Sequence, residues 1–399
     1  MIRLLNFLSL VLSVAAFGSV IWIIVPAPFY NFWLFAVAAS EWSLWLGALA
    51  LLGIICSLSA RVFYREGVFW IVPLIIGIGA FIISLYPFFS VLSLARENKV
   101  DLSFSQYLDG LRNAENSSEK ENKDYATYTF VQTDGKDLQL DVYLPTVNTT
   151  NNGASVIVVH GGSWSAGARN EFPQWNEWLA AQGYTVFDVD YRIAPQPNYL
   201  TAVADVKCAV HWVKNHAAQF NVSPNRIAVL GRSAGAHLAL LAAYSANDKR
   251  LPATCSENET DGTVRAVVSF YAPVDLLWSY DNPANQRVIN GPKTLENFLG
   301  GTPHESDEMR ERFVLASPDT HVSADTPPTL LVHGGQDQLV RNENMRRLAD
   351  KLKTANAAHQ TLFIPYAQHG FDYNFNGFGA QISKSVMLDF LSENIKGEQ

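Results

Sequence analysis

The sequence predicts an α/β fold, with a mostly parallel central sheet and helices on both faces, preceded by an all-α transmembrane domain. After residue 125, short apolar runs alternate with helix-like stretches, as they do where parallel strands are buried on both faces. Before residue 96, three long apolar runs follow one another. We therefore predict a transmembrane domain at residues 1–95, a connector at 96–124 and an α/β domain at 125–399.

The apolar runs of the first domain are Leu4–Val25, Trp42–Ala60 and Val68–Ala95. A helix rises about 1.5 Å per residue, so about 20 apolar residues cross a hydrocarbon core of about 30 Å. A signal peptide has one apolar region of about 7–15 residues, which does not describe three long runs. The pattern predicts an integral, multi-pass membrane protein with about three spans. The segment Phe29–Ala39 leaves two or four spans open.

Positive charge is distributed unequally around these runs. With three spans, Arg3, Arg61 and Arg65 lie on one side of the membrane, whereas residues 26–41 on the other side contain no Lys or Arg. Lys and Arg accumulate in cytoplasmic loops. This bias predicts an extracytoplasmic α/β domain, although two positive residues directly after the third run oppose it.

The overall composition excludes some partners and leaves others open. A net charge of −8 argues against nucleic acid, which requires clustered Lys and Arg. Three cysteines are too few for a disulfide framework. Cys208 and Cys255 could pair if their compartment is oxidising, but nothing in the sequence shows that they are close in space. No His-x-x-x-His or clustered Cys/His pattern is present, so we predict neither a metal nor a cofactor. The oligomeric state is not predicted.

The connector contains one amphipathic segment. Phe104, Tyr107, Leu108 and Leu111 have the spacing of one helix face, and Ser103 stands at the position of an N-cap. This helix either packs on the catalytic domain, or covers the active-site mouth or lies on the membrane surface. The residues after it, to position 124, have the composition of a hydrophilic linker.

The nucleophile is predicted to be Ser233, in the segment Gly231-Arg232-Ser233-Ala234-Gly235. This Gly-x-Ser-x-Gly pattern follows a predicted strand and begins a predicted helix, which is the context of a nucleophile elbow. The serine must stand on a sharp turn, so the positions two before and two after it cannot carry bulky side chains. The helix N-terminus also directs its dipole at a developing oxyanion.

A serine hydroxyl needs a base to remove its proton and an acid to orient that base. In chain order the acid and the histidine follow the serine, each in a loop after a strand. Asp337 and His369 occupy such loops after the predicted strands Thr329–His333 and Gln360–Pro365. Other candidates, such as His237 and Asp350, lie within predicted helices. We predict Ser233, Asp337 and His369 as the catalytic triad.

The oxyanion needs backbone donors. Gly161 and Gly162 follow the predicted strand Ser155–His160, and consecutive glycines allow the main chain to approach a substrate. With the N–H of Ala234, they are the predicted oxyanion hole. Trp164 either lines the substrate pocket or packs in the interior.

Several linked motifs resemble the hormone-sensitive-lipase-like and acetylesterase branch of the α/β-hydrolases. They are His160-Gly161-Gly162, Asp190-Tyr191-Arg192-Ile193-Ala194-Pro195, Ala202-x-x-Asp205, Gly231-x-Ser233-Ala234-Gly235-x-His237, Asp337 and His369. The similarity extends from about Tyr125 to Leu391. It implies hydrolysis of carboxylic esters without a metal or cofactor, with the triad and oxyanion residues in the roles given above.

One departure concerns Ser163-Trp164, which replaces the third glycine of the lipase-like His-Gly-Gly-Gly. In this the chain is closer to feruloyl-esterase, acetylesterase and formamidase relatives. We therefore expect a membrane-anchored serine hydrolase acting on a small-molecule ester with a small to medium acyl group. The alternatives are a peptidase or amidase of the prolyl-oligopeptidase or formamidase type, and a catalytically silent binding module.

Overall fold

The computed structural model describes residues 2–64, 68–116, 125–132, 137–146, 149–256 and 261–395. The first of these ranges and the start of the second contain four helices: α1 (Ile2–Val20), α2 (Tyr30–Glu41), α3 (Ser43–Tyr64) and α4 (Ile71–Glu97). Three apolar helical stretches among the described residues are long enough to cross a membrane, namely Leu4–Ile23, Ser43–Val62 and Ile71–Glu97. Helix α2, with 12 residues, is too short to span a bilayer.

Small residues bring the three long helices together. The Ser9 hydroxyl donates to the Gly53 carbonyl at 3.0 Å, so α1 and α3 approach closely. A Cβ added to Gly47 would collide with the Ser84 side chain of α4. Close contacts at glycine and serine are typical of helices that associate within lipid.

The connector helix α5 (Phe104–Asn116) joins the two parts of the molecule. Tyr107 stacks on Phe378 with ring centroids 4.5 Å apart, and its hydroxyl accepts a hydrogen bond from the Leu44 N–H at the start of α3. The Ser103 hydroxyl accepts from the Gln106 N–H, as an N-cap does. The helix thus packs on the catalytic domain. The predicted linker lies outside the described residues from position 117 to 124.

One eight-stranded sheet, ordered β1-β2-β4-β3-β5-β6-β7-β8, organises the rest of the described chain. Its strands are β1 (Ala126–Val131), β2 (Leu138–Tyr143), β3 (Ser155–Val159), β4 (Thr185–Val189), β5 (Ile227–Arg232), β6 (Ala266–Phe270), β7 (Thr329–Gly334) and β8 (His359–Ile364). β1 with β2 and β2 with β4 are antiparallel pairs, and every other pair is parallel.

Helices cover both faces of this sheet. They are α6 (Pro173–Ala181), α7 (Tyr199–Asn215), α8 (Ala234–Tyr244), α9 (Leu276–Asp281), α10 (Gly291–Leu299), α11 (Asp307–Leu315), α12 (Glu343–Thr354) and α13 (Phe378–Ile395). Short 3-10 turns lie at Ile21–Ile23, Ala217–Phe220, Pro318–His321 and Phe371–Tyr373. The predicted α/β fold with a mostly parallel sheet is confirmed.

Alternate side chains of each central strand enter different cores, because successive residues of a strand point to opposite faces. In β3, Ile157 and Val159 pack with α7 and α8, whereas Val156 and Val158 pack with α6 and α13. Both layers are apolar, which is why the strands are apolar throughout. A disulfide joins Cys208 of α7 to Cys255.

Candidate active site

Ser233 stands between β5 and α8 with a φ of +54°, in the left-handed region that a nucleophile elbow requires. The flanking glycines are explained by the packing. A Cβ on Gly231 would lie 2.3 Å from the Gly235 carbonyl oxygen, and a Cβ on Gly235 would lie 2.2 Å from that of His160. The turn therefore closes only with glycine at both positions, as the sequence pattern predicts.

The other two predicted triad residues meet Ser233 at the carboxyl edge of the sheet. The Ser233 hydroxyl lies 2.9 Å from His369 Nε2, and His369 Nδ1 lies 2.7 Å from Asp337 Oδ2. Asp337 follows β7 and His369 follows β8, so adjacent parallel strands bring the two loops together. With Nδ1–H donating to the carboxylate, Nε2 is free to accept the serine proton.

The environment of Asp337 keeps it ionised. Burial by itself would raise the pKa of this carboxyl, but His369 and His333 beside it hold the pKa well below its usual range. Its Oδ1 also accepts hydrogen bonds from the N–H groups of Leu339 and Val340, at 2.8 and 2.9 Å. A fixed negative charge is what an imidazolium formed at His369 needs. Among the described residues, no group of three or more His, Cys, Asp or Glu could hold a metal ion.

The predicted oxyanion glycines lie directly against the nucleophile. A Cβ on Gly161 would be 3.5 Å from the Ser233 Cβ. Gly162 has a φ of +105°, and a Cβ there would collide with the Ala166 carbonyl oxygen. The Gly161 carbonyl accepts from the Tyr191 hydroxyl at 3.1 Å, and this hydrogen bond fixes the loop. Ala234 follows Ser233 as the first residue of α8.

Trp164 combines the two roles that the sequence leaves open. Its indole stacks on Phe298 of α10 at 4.3 Å and donates from Nε1 to His237 Nδ1 at 3.2 Å, so it is largely buried. Trp164 also lines a cavity of about 70 Å³ beside Ser233. The segment between β6 and β7, with Ile289 and Leu295, forms the far wall of that cavity.

Sequence reasoning missed a buried ion pair behind the nucleophile. Arg232 donates from Nε to Asp372 at 2.6 Å, and Asp372 also accepts from the Tyr271 hydroxyl at 2.6 Å. The guanidinium lies 4.0 Å from the ring centre of Phe172. The Tyr271 ring packs on His369, with centroids 4.3 Å apart. This network fixes Arg232, next to Ser233 in the turn, and Tyr271, which packs on His369. Because 140 residues separate Arg232 from Asp372, no local sequence pattern indicates the pair.

The second missed feature is the position of α2. Trp33, Leu34 and Val37 of this helix line a cavity of about 550 Å³ that also reaches Ser233 and His369. A chain segment between two candidate membrane spans thus forms one wall of the site. The apolar composition of Phe29–Ala39 is the one signal of it in the sequence, and that signal fits a membrane segment equally well.

The chain is similar to a known protein family and to curated ester hydrolases. The sequence model of the BD-FAE family matches residues 140–352. The chain is 31% identical over 241 residues to the probable carboxylic ester hydrolase LipM of Mycobacterium tuberculosis, covering 60% of this chain and 54% of that protein. It is 33% identical over 237 residues to esterase LipC of the same organism, covering 58% and 57%. The chain therefore spans a little over half the length of these curated relatives.

Among solved structures, the fold is similar to esterase 2 of Thermogutta terrifontis in its apo form. The TM-score is 0.55 at 26% identity, and the match covers 70% of this chain and 98% of that one. The same esterase has been solved phosphorylated by paraoxon, and with butyrate or propionate bound. The match covers nearly the whole of a known esterase.

Proposed function

This chain belongs to the BD-FAE family of α/β-hydrolases, and from that premise we propose that it is a membrane-anchored serine hydrolase that cleaves carboxylic esters. The observation that carries the proposal is the continuous hydrogen-bonded chain from Asp337 through His369 to Ser233, at 2.7 and 2.9 Å. Relatives named as carboxylic ester hydrolases support the choice of an ester over an amide or a peptide. The same hydrogen-bonded series of three residues argues against a catalytically silent binding module.

The proposed reaction has two acyl-transfer steps. Ser233 Oγ attacks the ester carbonyl while His369 Nε2 takes its proton, and Asp337 stabilises the resulting imidazolium. The N–H groups of Gly161, Gly162 and Ala234 stabilise the oxyanion. The imidazolium then gives its proton to the departing alcohol, which leaves an acyl-serine. A water molecule, deprotonated by His369, hydrolyses that intermediate and releases the acid and free Ser233.

The smaller cavity supports a small to medium acyl group. Its volume of about 70 Å³ holds several water-sized groups, since about 10–15 Å³ of cavity volume is enough for one water. Trp164 and Leu295 are rigid parts of its wall, because both belong to the buried core. Propionate and butyrate, the ligands solved with the Thermogutta esterase, are acids of this size.

We expect paraoxon to inactivate the enzyme and EDTA to have no effect on it. An organophosphate phosphorylates an activated serine, and the proposed mechanism uses no metal. Activity is measured on p-nitrophenyl butyrate, and mass spectrometry should find about one phosphoryl group per chain on the peptide that contains Ser233. Loss of activity in EDTA with recovery in added Zn²⁺ would contradict the mechanism. Failure of paraoxon to react would favour the silent module.

We also propose that the N-terminal part anchors the enzyme, with the catalytic domain outside the cytoplasm. Three helices are long and apolar enough to span a membrane. The charge asymmetry of Arg3, Arg61 and Arg65 supports this orientation. The disulfide between Cys208 and Cys255 supports it independently, since disulfides persist in oxidising compartments and are rare in the cytosol.

A reporter that works only outside the cytoplasm tests this orientation. Fused after Gln399 it is expected to be active, and fused in the loop between the second and third spans, at residues 65–67, it is expected to be silent. One span, the third, separates the two fusion points, so a three-span topology requires opposite results at them. The reverse pattern would overturn the orientation, and equal results at both points would overturn the three-span topology.

A further inference from the structure

Two cavities of different size meet at Ser233. The smaller, of about 70 Å³, lies under the segment between β6 and β7 and is lined by Trp164 and Ala234. The larger, of about 550 Å³, is lined by Gly161, Gly162 and His369 and by residues of α2. An ester bound at the nucleophile has two groups to place, an acyl group and an alcohol, so each cavity takes one of them.

The position of His369 assigns the two groups. In the proposed mechanism its Nε2 gives a proton to the oxygen of the leaving alcohol, so that oxygen must face the imidazole. His369 lines the larger cavity and is not among the residues that line the smaller one. The alcohol therefore occupies the larger cavity, and the acyl group occupies the smaller.

The outer wall of the larger cavity is a fixed part of the N-terminal segment. The Ala27 N–H donates to Gln338 Oε1 at 2.7 Å, and Asn285 Nδ2 donates to the Ala27 carbonyl at 2.7 Å. Trp33 packs with Val288 and, at the edge of the same cluster, with Leu339. These contacts hold α2 over the site, although α2 belongs to the segment between the first two candidate spans.

The open side of this cavity is apolar. Leu34 and Tyr30 of α2 line it while remaining 47% and 50% exposed, and Tyr373 opposite them is 65% exposed. Phe29, directly before α2, and Phe35 within it are also exposed, at 49% and 44%. A helix this apolar, too short to span and adjoining two candidate spans, has the properties of a segment at the lipid boundary.

The charged groups of the cavity do not offset this character. Arg232 is paired with Asp372, and burial raises the pKa of Glu41 to about 8, so that this carboxyl is mainly protonated at neutral pH. Burial also raises the pKa of Glu171. A long uncharged chain is the ligand that such a wall accepts.

From this arrangement we propose that the natural substrate is an amphiphilic ester dissolved in the bilayer, with a short acyl group and a long-chain alcohol that enters the larger cavity past α2. The proposal rests on the proposed esterase function and adds the substrate class. The membrane segment then has two tasks, because it anchors the enzyme and also supplies the binding surface for the alcohol.

The test compares two acetates that differ only in the alcohol. The full-length protein is reconstituted in phosphatidylcholine vesicles, and kcat/KM is measured for hexadecyl acetate in the bilayer and for propyl acetate in solution. Leu34→Arg is expected to lower the ratio of kcat/KM for hexadecyl acetate to kcat/KM for propyl acetate at least about tenfold. A tenfold change corresponds to about 1.4 kcal/mol, which is less than the free energy gained by burying one leucine side chain. Leu34→Gln should change the ratio in the same direction.

Leu200→Arg is the matched control. Leu200 is 44% exposed, close to the exposure of Leu34, and lies at the start of α7, outside the residues that line either cavity. Both constants should remain at the parent value. Thermal unfolding of each variant verifies its folding. A ratio within about twofold of the parent in both Leu34 variants would overturn the inference and leave the esterase function intact. A parent inert toward both acetates and toward paraoxon would overturn the esterase function itself.

Discussion

Replacing Ser233 with alanine is expected to lower kcat for ester hydrolysis by about 10⁴-fold or more, because a triad without its nucleophile retains only binding and oxyanion stabilisation. The fold should be unaffected. The unusual backbone at this position is held by main-chain bonds, from the Ser233 N–H to the Phe270 carbonyl and from the His237 N–H to the Ser233 carbonyl. Alanine keeps both bonds and the Cβ. The measurement is kcat on p-nitrophenyl butyrate together with the Tm.

Ser165→Ala is the control for this variant. Ser165 belongs to the same loop as the oxyanion glycines, but it is exposed and lines neither cavity. Its loss should leave kcat within about twofold of the parent, as for a surface change away from the chemistry. If Ser233→Ala retained activity within about tenfold of the parent, another residue would have to be the nucleophile.

Asp337→Asn is expected to lower kcat by about 10⁴-fold. An amide in place of the carboxylate can donate to His369 Nδ1, which stabilises the tautomer with its proton on Nε2, where it cannot accept the Ser233 proton. It also removes the charge that stabilises the imidazolium. Since the pKa of Asp337 is held well below its usual range, the carboxylate stabilises the fold above about pH 4 and loses this effect only as the pH falls further. Asp337 is therefore ionised at neutral pH, where the activity of the parent and the variant is compared.

Two other aspartates distinguish this acid from its competitors. Asp325→Asn and Asp350→Asn change exposed carboxylates, one before β7 and one within α12. Neither should change kcat by more than about twofold. If either substitution caused the large loss and Asp337→Asn did not, the triad would need a different acid.

Much of the sheet could be predicted because its strands are apolar on both sides. The predicted strand Thr329–His333 begins at the same residue as the observed Thr329–Gly334, and both faces of this strand enter a core. The geometry of the triad follows from the parallel arrangement of these strands. Because β5 to β8 are parallel, the loops after β5, β7 and β8 lie at one edge of the sheet. The positions of Ser233, Asp337 and His369 directly after these strands were therefore sufficient to predict that the three residues lie close together.

Contacts between distant parts of the chain could not be predicted in this way. The residues around Arg232 in the sequence do not indicate that it pairs with Asp372, because a buried ion pair is determined by three-dimensional packing. The pairing of Cys208 with Cys255 depends on the approach of a loop to α7. Helix α2 has an apolar composition that satisfies lipid and protein equally, so composition alone could not assign its position.

The placement of α2 also limits what a soluble version of the enzyme can report. A protein cut at the connector would lose Ala27 and Trp33, which exposes Gln338 and opens one wall of the larger cavity. Such a fragment would keep every residue of the triad and the acyl pocket. Its acyl preference would remain informative, but its choice among alcohols would describe a binding surface that the intact enzyme never presents. Inhibitors selected on the fragment would accordingly include compounds too bulky on the alcohol side to fit the full-length protein.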